Sequence, residues 1–503
     1  MQRRSERGNA SRFSLFTFHS SRLTSQFSPL SLAQPWCKYR LMALPEGPRA
    51  PIALQMLQWV TTPFSFMRSC HRKYGDCFTV RLNSRFGPLV FFSHPEALQV
   101  ILTNDDAKLF ESPGSFNVAL ELLTGTQSVF AFSGERHRRA RQLLTPSFHG
   151  ERMRSYGELI RDITERVMDD YHPGQAFPAR NPMQTISLRV ILRAVFGLVD
   201  GPRYRQLEKL LGTLLDGVSN PISASLLFVP SMRQDLGPHS PWGRFIRNRQ
   251  RIDKLIYEEI ADRRRSRDDL SNAQRNDILT LLMSARDEAG EGLSDVELRD
   301  ELMTLLIAGH ETTATALTWA LYWIHRLPAV RERLLQELDS SDHGSDPSVV
   351  FKLPYLNAVC SETLRIYPVA LLTFARVTRS RVTLTGVTLE PGTTVTGCIY
   401  LAHRRKEVFS DPEEFRPDRF LERHYSPYEF LPFGGGVRRC IGMAFAQFEM
   451  KLVLSTLLSR FDLELNDARN VRQQRRGLVS GPSSFRMVKR GTRQVAAVQG
   501  VVP

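Results

Sequence analysis

The sequence predicts a mainly α fold with small β-sheets (α+β), one large domain after a short leading segment. Three observations predict it. Helical periodicity dominates residues 95–375, strand-like runs bounded by glycine and proline lie on either side, and neither an internal repeat nor a Gly/Ser/Pro linker interrupts residues 42–490. The 503 residues are 42% apolar and 24% charged, which supports a sizeable core and excludes a disordered, collagenous or small disulfide-rich chain. No apolar run approaches the ~18 residues of a membrane span, so no transmembrane anchor is expected.

Residues 1–41 differ from the rest: eight serines and seven Lys/Arg against Glu6 alone. They read either as a transit peptide, which is Arg- and Ser-rich and acid-poor, or as an upstream extension with the working start at Met42. Either way they are set aside from the fold and expected to be disordered. The expected location is cytoplasmic, or an organelle on the transit-peptide reading. The formal charge of +15 admits acidic partners. Much of it sits in residues 1–41, and no nucleic-acid motif is present. Residues 491–503 read as a flexible tail.

Two strands are expected between Tyr74 and Ser93, separated at Gly87-Pro88. Loops rich in turn formers are expected near Ser219–Pro241 and Arg265–Asp277. A capping box at Ser294 and Glu297 opens the longest helix, which runs about 50 Å to Pro328. A helix from Pro354 must end before Pro368. Strand character returns over residues 381–402, with a turn at Gly386. A loop-rich stretch then leads to Gly436 and to the apolar helix Met443–Arg460.

Six cysteines, Cys37, Cys70, Cys77, Cys360, Cys398 and Cys440, form no C-x-x-C pair, against a zinc ribbon or a disulfide framework. Cys440 lies in Phe433-Gly-Gly-Gly436-Val-Arg438-Arg-Cys440-Ile-Gly442, a glycine-rich loop running into a helix. A thiol there meets free N–H groups and the positive helix end, which favour thiolate. The glycines let the backbone approach a flat ligand. A single cysteine ligand points to haem rather than to zinc or an iron–sulfur cluster.

The loop resembles the haem-ligand loop of the cytochrome P-450 family, the haem-thiolate monooxygenases. The resemblance extends over residues 42–490, with further motifs in the family's order. It implies the P-450 fold, with haem b (iron protoporphyrin IX) between the long central helix and the Cys440 loop, and Phe433, Arg438, Cys440 and Gly442 against the cofactor. Glu362-Thr-Leu-Arg365 and Arg419 match a buried structural ion triad. Within Ala308-Gly309-His310-Glu311-Thr312-Thr313, Ala308 and Gly309 leave room at the haem, and Glu311 with Thr312 matches the acid–alcohol pair that supplies protons. His137, Arg141, Arg376 and Arg438 match propionate-binding positions. His310 and His403 read as ordinary polar residues.

By the same resemblance, Thr304, Ile307, Ala308, Ala370, Leu371, Leu372, Phe374, Leu478 and Val479 line the substrate pocket, with residues 111–132 and Ile222–Pro230 at its entrance. These are mostly apolar, and a fatty acid, alkane or terpenoid-like substrate is expected. Arg138, Arg139, Arg439 and Lys451 suggest a basic patch on the thiolate side for an acidic donor such as a ferredoxin, itself served by a ferredoxin reductase. No flavin or nicotinamide domain is present. A monomer is expected. The competing readings are a peroxide-using or isomerising haem-thiolate enzyme and a non-catalytic haem- or ligand-binding protein.

Overall fold

The computed structural model describes residues 44–493, apart from 83–86, 106, 149–151, 198–200, 220–232, 266–274, 276, 342–345, 467–469 and 478. The expectations for residues 1–41, for the loop Ile222–Pro230 and for Leu478 lie outside the described residues.

The central helix runs Asp295–Arg326. The Ser294 hydroxyl accepts from the Glu297 N–H, and the Glu297 carboxylate accepts from the Ser294 N–H at 2.9 Å, the expected capping box. The helix stops at Leu327, where Pro328 begins the next. It is buried on nearly every side, against Arg180–Phe196, Met443–Arg460 and the short helix Val118–Thr124. Its polar side chains must therefore find partners inside the protein.

The expected strands Cys77–Val80, Leu89–Phe92 and Thr394–Gly397 join Arg376–Thr378 and Phe110–Glu111 in a five-stranded sheet. Leu89–Phe92 pairs in parallel with Thr394–Gly397; the other pairs are antiparallel. The strand beginning at Thr394 ends at Gly397, and Ile399–Ala402 forms a helical turn in place of the strand expected there. A second sheet joins Ala176–Pro178, Arg486–Thr492 and Phe461–Leu465, with a separate hairpin of Gln473–Arg476 and Val479–Pro482. The sequence did not announce these: the first strand of the sheet pairs across about 300 positions, and the local hairpin is polar and carries no alternating apolar pattern. The last strand reaches Thr492 and Arg493 pairs with Asp339 at 2.5 Å, so residues 491–493 belong to the fold; the rest of the expected tail lies outside the described residues.

Pro354–Ile366 carries the expected triad. Arg365 donates to Glu362 at 2.6 and 2.8 Å, and Arg419 donates to the same carboxylate at 3.1 Å, all three being wholly buried. Arg365 also donates to the carbonyls of His403, Pro412 and Glu414. His403 extends the network. Its Nδ1 lies 3.1 Å from the Arg365 carbonyl, and its Nε2 accepts from the Leu431 N–H at 2.9 Å. Leu431 stands two residues before Phe433, so this ring ties the triad to the Cys440 loop.

The imidazole has to be neutral to accept from Leu431. Burial, then the Arg365 charge, pushes its pKa down to about 3. Between the ordinary histidine value and about 3, the unfolded chain binds a proton there that the folded one does not, so stability falls as pH drops. His403→Phe strands the Leu431 N–H and should cost about 1–3 kcal/mol at pH 7. It should also lose less stability than wild type between pH 7 and pH 5. Urea midpoints at the two pH values check both outcomes.

Candidate active site

Beneath the central helix, the Phe433–Gly442 loop closes one side of a cavity of about 320 Å³. The Cys440 N–H donates to the Phe433 carbonyl at 3.0 Å, which folds the loop back on itself. Gly434 and Gly436 have φ near +65°, the left-handed region that favours glycine. A side chain at Gly436 would also strike Asp105 and the Leu102 carbonyl. Cys440 opens into the cavity, whereas the other described cysteines are buried or half-buried.

Burial pushes the Cys440 thiol up, and the Gly442 N–H, Arg141 and Arg439 pull it down without overcoming that. A metal cation bound at the sulfur would favour the thiolate.

Around the same loop, positive charge gathers without an equal counter-charge. Arg376 and Arg438 are buried, and Arg141 and His137 line the same cavity. Arg376 pairs with Asp105 at 2.9 Å and donates to the Gly435 carbonyl at 3.0 Å, but its Nε has no partner. Arg438 donates to the Ser112, Val129 and Phe132 carbonyls. Burial and the neighbouring guanidiniums bring it down to about 10. Burial, Arg438, Arg141 and Arg376 together push His137 down to about 3. Three guanidiniums around one carboxylate suit a ligand that brings two carboxylates. A porphyrin with two propionates and an iron facing one sulfur fits these donors.

A family model described as cytochrome P450 matches residues 45–488. The chain belongs to the cytochrome P-450 family. It is 35% identical to the Mycobacterium tuberculosis protein called cytochrome P-450 135B1 over 457 residues, covering 91% of this chain and 93% of that one. It is 33% identical to cytochrome P-450 138 of Mycobacterium bovis over 446 residues, covering 88% and 95%. A cyanobacterial P-450 solved with retinoic acid bound superposes with a TM-score of 0.74 at 24% identity, covering 89% of this chain and all of that one. The haem domain of a further P-450 superposes at 0.75 and 22% identity, covering 90% and 98%. The protein is thus a haem-thiolate monooxygenase, an oxidoreductase that carries haem b.

In this P-450 the cavity wall includes Thr304, Ala308, Thr312, Ala370, Leu372, Phe374, Phe433 and Gly442 among the expected residues. Phe130, from the segment 111–132 expected at the entrance, also lines it, as do Phe148, Ile191, Leu305, Val369 and Phe445, which the sequence did not single out. These five come from separate segments, and each alone reads as core. Ile307 packs into the main core, Leu371 packs against the cluster of Phe64, Phe66 and Tyr400, and Val479 is half-buried in its hairpin; none lines the cavity. A Cβ on Gly309 would lie about 3.0 Å from the Ile191 side chain. That glycine therefore admits a neighbouring helix as much as a cofactor.

Glu311 and Thr312 point to different partners. The Thr312 hydroxyl donates to the Ala308 carbonyl at 2.6 Å, on the cavity side. The buried Glu311 carboxylate accepts from Arg180 at 2.5 Å and does not line the cavity. The expected basic patch is also smaller than its four residues. Lys451 is only 6% exposed, and Arg139 is held by Asp287 at 2.5 Å and Glu297 at 3.2 Å. Arg138 and Arg439 remain exposed.

Three consecutive residues of the central helix clamp the loop that carries Phe130. Arg299 donates to the Thr124 carbonyl at 2.9 Å. Asp300 accepts from the Gln127 N–H, and Glu301 from the Val129 N–H, both at 2.8 Å. Thr304 and Ser128 add a hydroxyl pair at 2.8 Å. Burial, followed by the charges of Asp300 and Glu297, raises Glu301 well above the usual carboxylate range against the pull of the Val129 N–H. A glutamine amide oxygen can accept from the Val129 N–H as the carboxylate does. Glu301→Gln should therefore keep stability within about 1 kcal/mol, whereas Glu301→Ala, which strands the Val129 N–H, should cost about 1–3 kcal/mol. Denaturant titration of the two variants checks this.

Proposed function

We propose that this P-450 oxidises an apolar small molecule of the fatty-acid, alkane or terpenoid type, with electrons delivered by a separate acidic protein of the ferredoxin type. The observation that carries the substrate reading is the cavity wall. Above the cysteine loop it is built from Phe130, Phe374, Leu305, Val369, Ile191 and small side chains, with no carboxylate or lysine among them. Such a wall takes up a ligand by burying apolar surface, and it offers no ionic anchor. Phe130 and Phe374 stand 5.8 Å apart as a tilted pair at one end.

In this reading the Cys440 sulfur, held by the loop geometry, would bind the haem iron. His137, Arg141, Arg376 and Arg438 bind the propionates, with Arg376 offering the unpartnered Nε. Haem b, when bound, supplies the activation of O2 and the insertion of one oxygen atom into a C–H or C=C bond. The Thr312 hydroxyl gives up its bond to the Ala308 carbonyl and hands a proton to the distal side. Glu311, held at rest by Arg180, takes up a proton from water once that contact opens and passes it to the Thr312 hydroxyl. The apolar wall orients the substrate and keeps water out. The exposed Arg138 and Arg439 receive the electron donor.

Cys440→His should abolish the red-shifted ferrous–CO band of a haem-thiolate. Thr312→Ala should retain substrate binding but release more peroxide per electron pair, read as the ratio of product formed to reductant consumed. Coupling equal to wild type in Thr312→Ala would remove the proton-delivery role. Arg138, 67% exposed, forms an i,i+3 pair with Glu135. Arg138→Glu should slow reduction by an acidic ferredoxin several-fold at low salt, converge on wild type at high salt, and leave the substrate-induced spectral shift unchanged.

A further inference from the structure

The first helix, Ile52–Thr61, is amphipathic the wrong way round. Its buried residue is polar: Gln55 donates from Nε2 to the carbonyls of Pro48 at 3.1 Å and Ala50 at 2.7 Å, and its Oε1 accepts from the Arg81 N–H at 2.9 Å. Trp59 packs edge-on against the buried Phe91, but most of the aliphatic residues face outward. Ile52, Leu54, Leu57 and Val60 are 41–56% exposed, four of the ten large apolar side chains so exposed among the described residues. At 100° per residue, Ala53, Leu54, Leu57 and Val60 fall within one arc of about 120°, with Leu57 near its middle. A helix serving only the core would present this arc inward.

The charge around that arc has one sign. Residues 47–75 contain Arg49, Arg68, Arg72 and Lys73 and no Asp or Glu. All four are exposed, and among the described residues none forms an ion pair with a carboxylate. Arg68, Arg72 and Lys73 lie on the second helix, Pro63–Tyr74, which follows after Thr62 alone. A groove of about 400 Å³ beside the two helices is lined by Arg49, Thr62, Ser65, Ser69 and Lys73 among others. Cations and hydroxyls in one groove are the donors that a phosphodiester headgroup accepts from. An apolar arc beside them has the depth of acyl chains rather than of a phosphate solution.

We propose that this helix pair docks the protein on the surface of an anionic phospholipid bilayer. Leu54, Leu57 and Val60 enter the interface, and Arg49, Arg68, Arg72 and Lys73 meet the headgroups. The arc is too short to span a bilayer, and no described helix is long and apolar enough to do so; the association is therefore peripheral and reversible. The inference rests on the surface alone and does not depend on the substrate class proposed above.

The test is co-sedimentation of the full-length haem protein with phosphatidylcholine vesicles, with and without phosphatidylglycerol as a third of the lipid. Wild type should bind the anionic vesicles, and binding should weaken as salt is raised. Leu57→Asp with Val60→Asp should reduce the bound fraction about tenfold or more. Arg72→Glu with Lys73→Glu should reduce it about fivefold or more. All four positions are exposed, and an unchanged ferrous–CO spectrum verifies folding in each variant. No binding by wild type overturns the proposal. Equal binding by wild type and the Leu57/Val60 variant also overturns it, since the basic residues 1–41 would then be the anchor. So does a wild-type dimer that the same variant turns into a monomer without any effect on vesicles, since the arc would then be a contact between copies.

Discussion

Arg365 holds one carboxylate and three backbone carbonyls at once, in a place that water does not reach. Everything at the site depends on that arrangement. The loop bearing Cys440 has almost no local structure of its own, since glycines and irregular turns leave it free to move. It becomes a fixed cradle because Glu362, Arg365, Arg419 and His403 hold the chain on either side of it. A buried network of this kind is a weak source of net stability, but it tolerates no missing member, because each loss strands a charge or an N–H. The specificity lies in that intolerance: the sulfur sits in one position or the network is broken.

The same logic, with the sign of the surplus reversed, shapes the charge around that loop. Arg141, Arg376 and Arg438 gather there with Asp105 paired to Arg376, and burial together with their field pushes His137 down to about 3. Such a cluster is costly without an anionic ligand and favourable with one. The Cys440 thiol behaves in parallel, since burial raises it until a metal cation is present. Cation cluster and thiol both await one group that is anionic at its edge and cationic at its centre. The distal side differs in kind, being a largely apolar wall in which the Thr312 hydroxyl is already satisfied by its own helix. The acid beside it is drawn away to Arg180.

Much of this was legible in the chain. The Cys440 loop, the Glu362/Arg365 spacing and the Ser294 capping box are local patterns, and local patterns survive in sequence because they depend on residues a few positions apart. Arg419 and Arg376 were legible only through resemblance, since nothing in their own neighbourhoods marks them as buried. His403 passed as an ordinary polar residue for the same reason: its two partners, Arg365 and Leu431, lie 38 and 28 positions away. The outward-facing Leu57 and Val60 were equally silent, because an apolar helix reads as core until its exposure is known.

The sequence by itself determined which residues carry the chemistry and which helices present them, through spacing, capping and glycine. Only the tertiary structure decided which side chains share the cavity, that Glu311 answers to Arg180, that Lys451 is buried, and that burial raises the Glu301 pKa. These are matters of solvent exclusion and long-range contact. The free energy of a charge depends on what surrounds it in space, and a linear sequence does not state its surroundings.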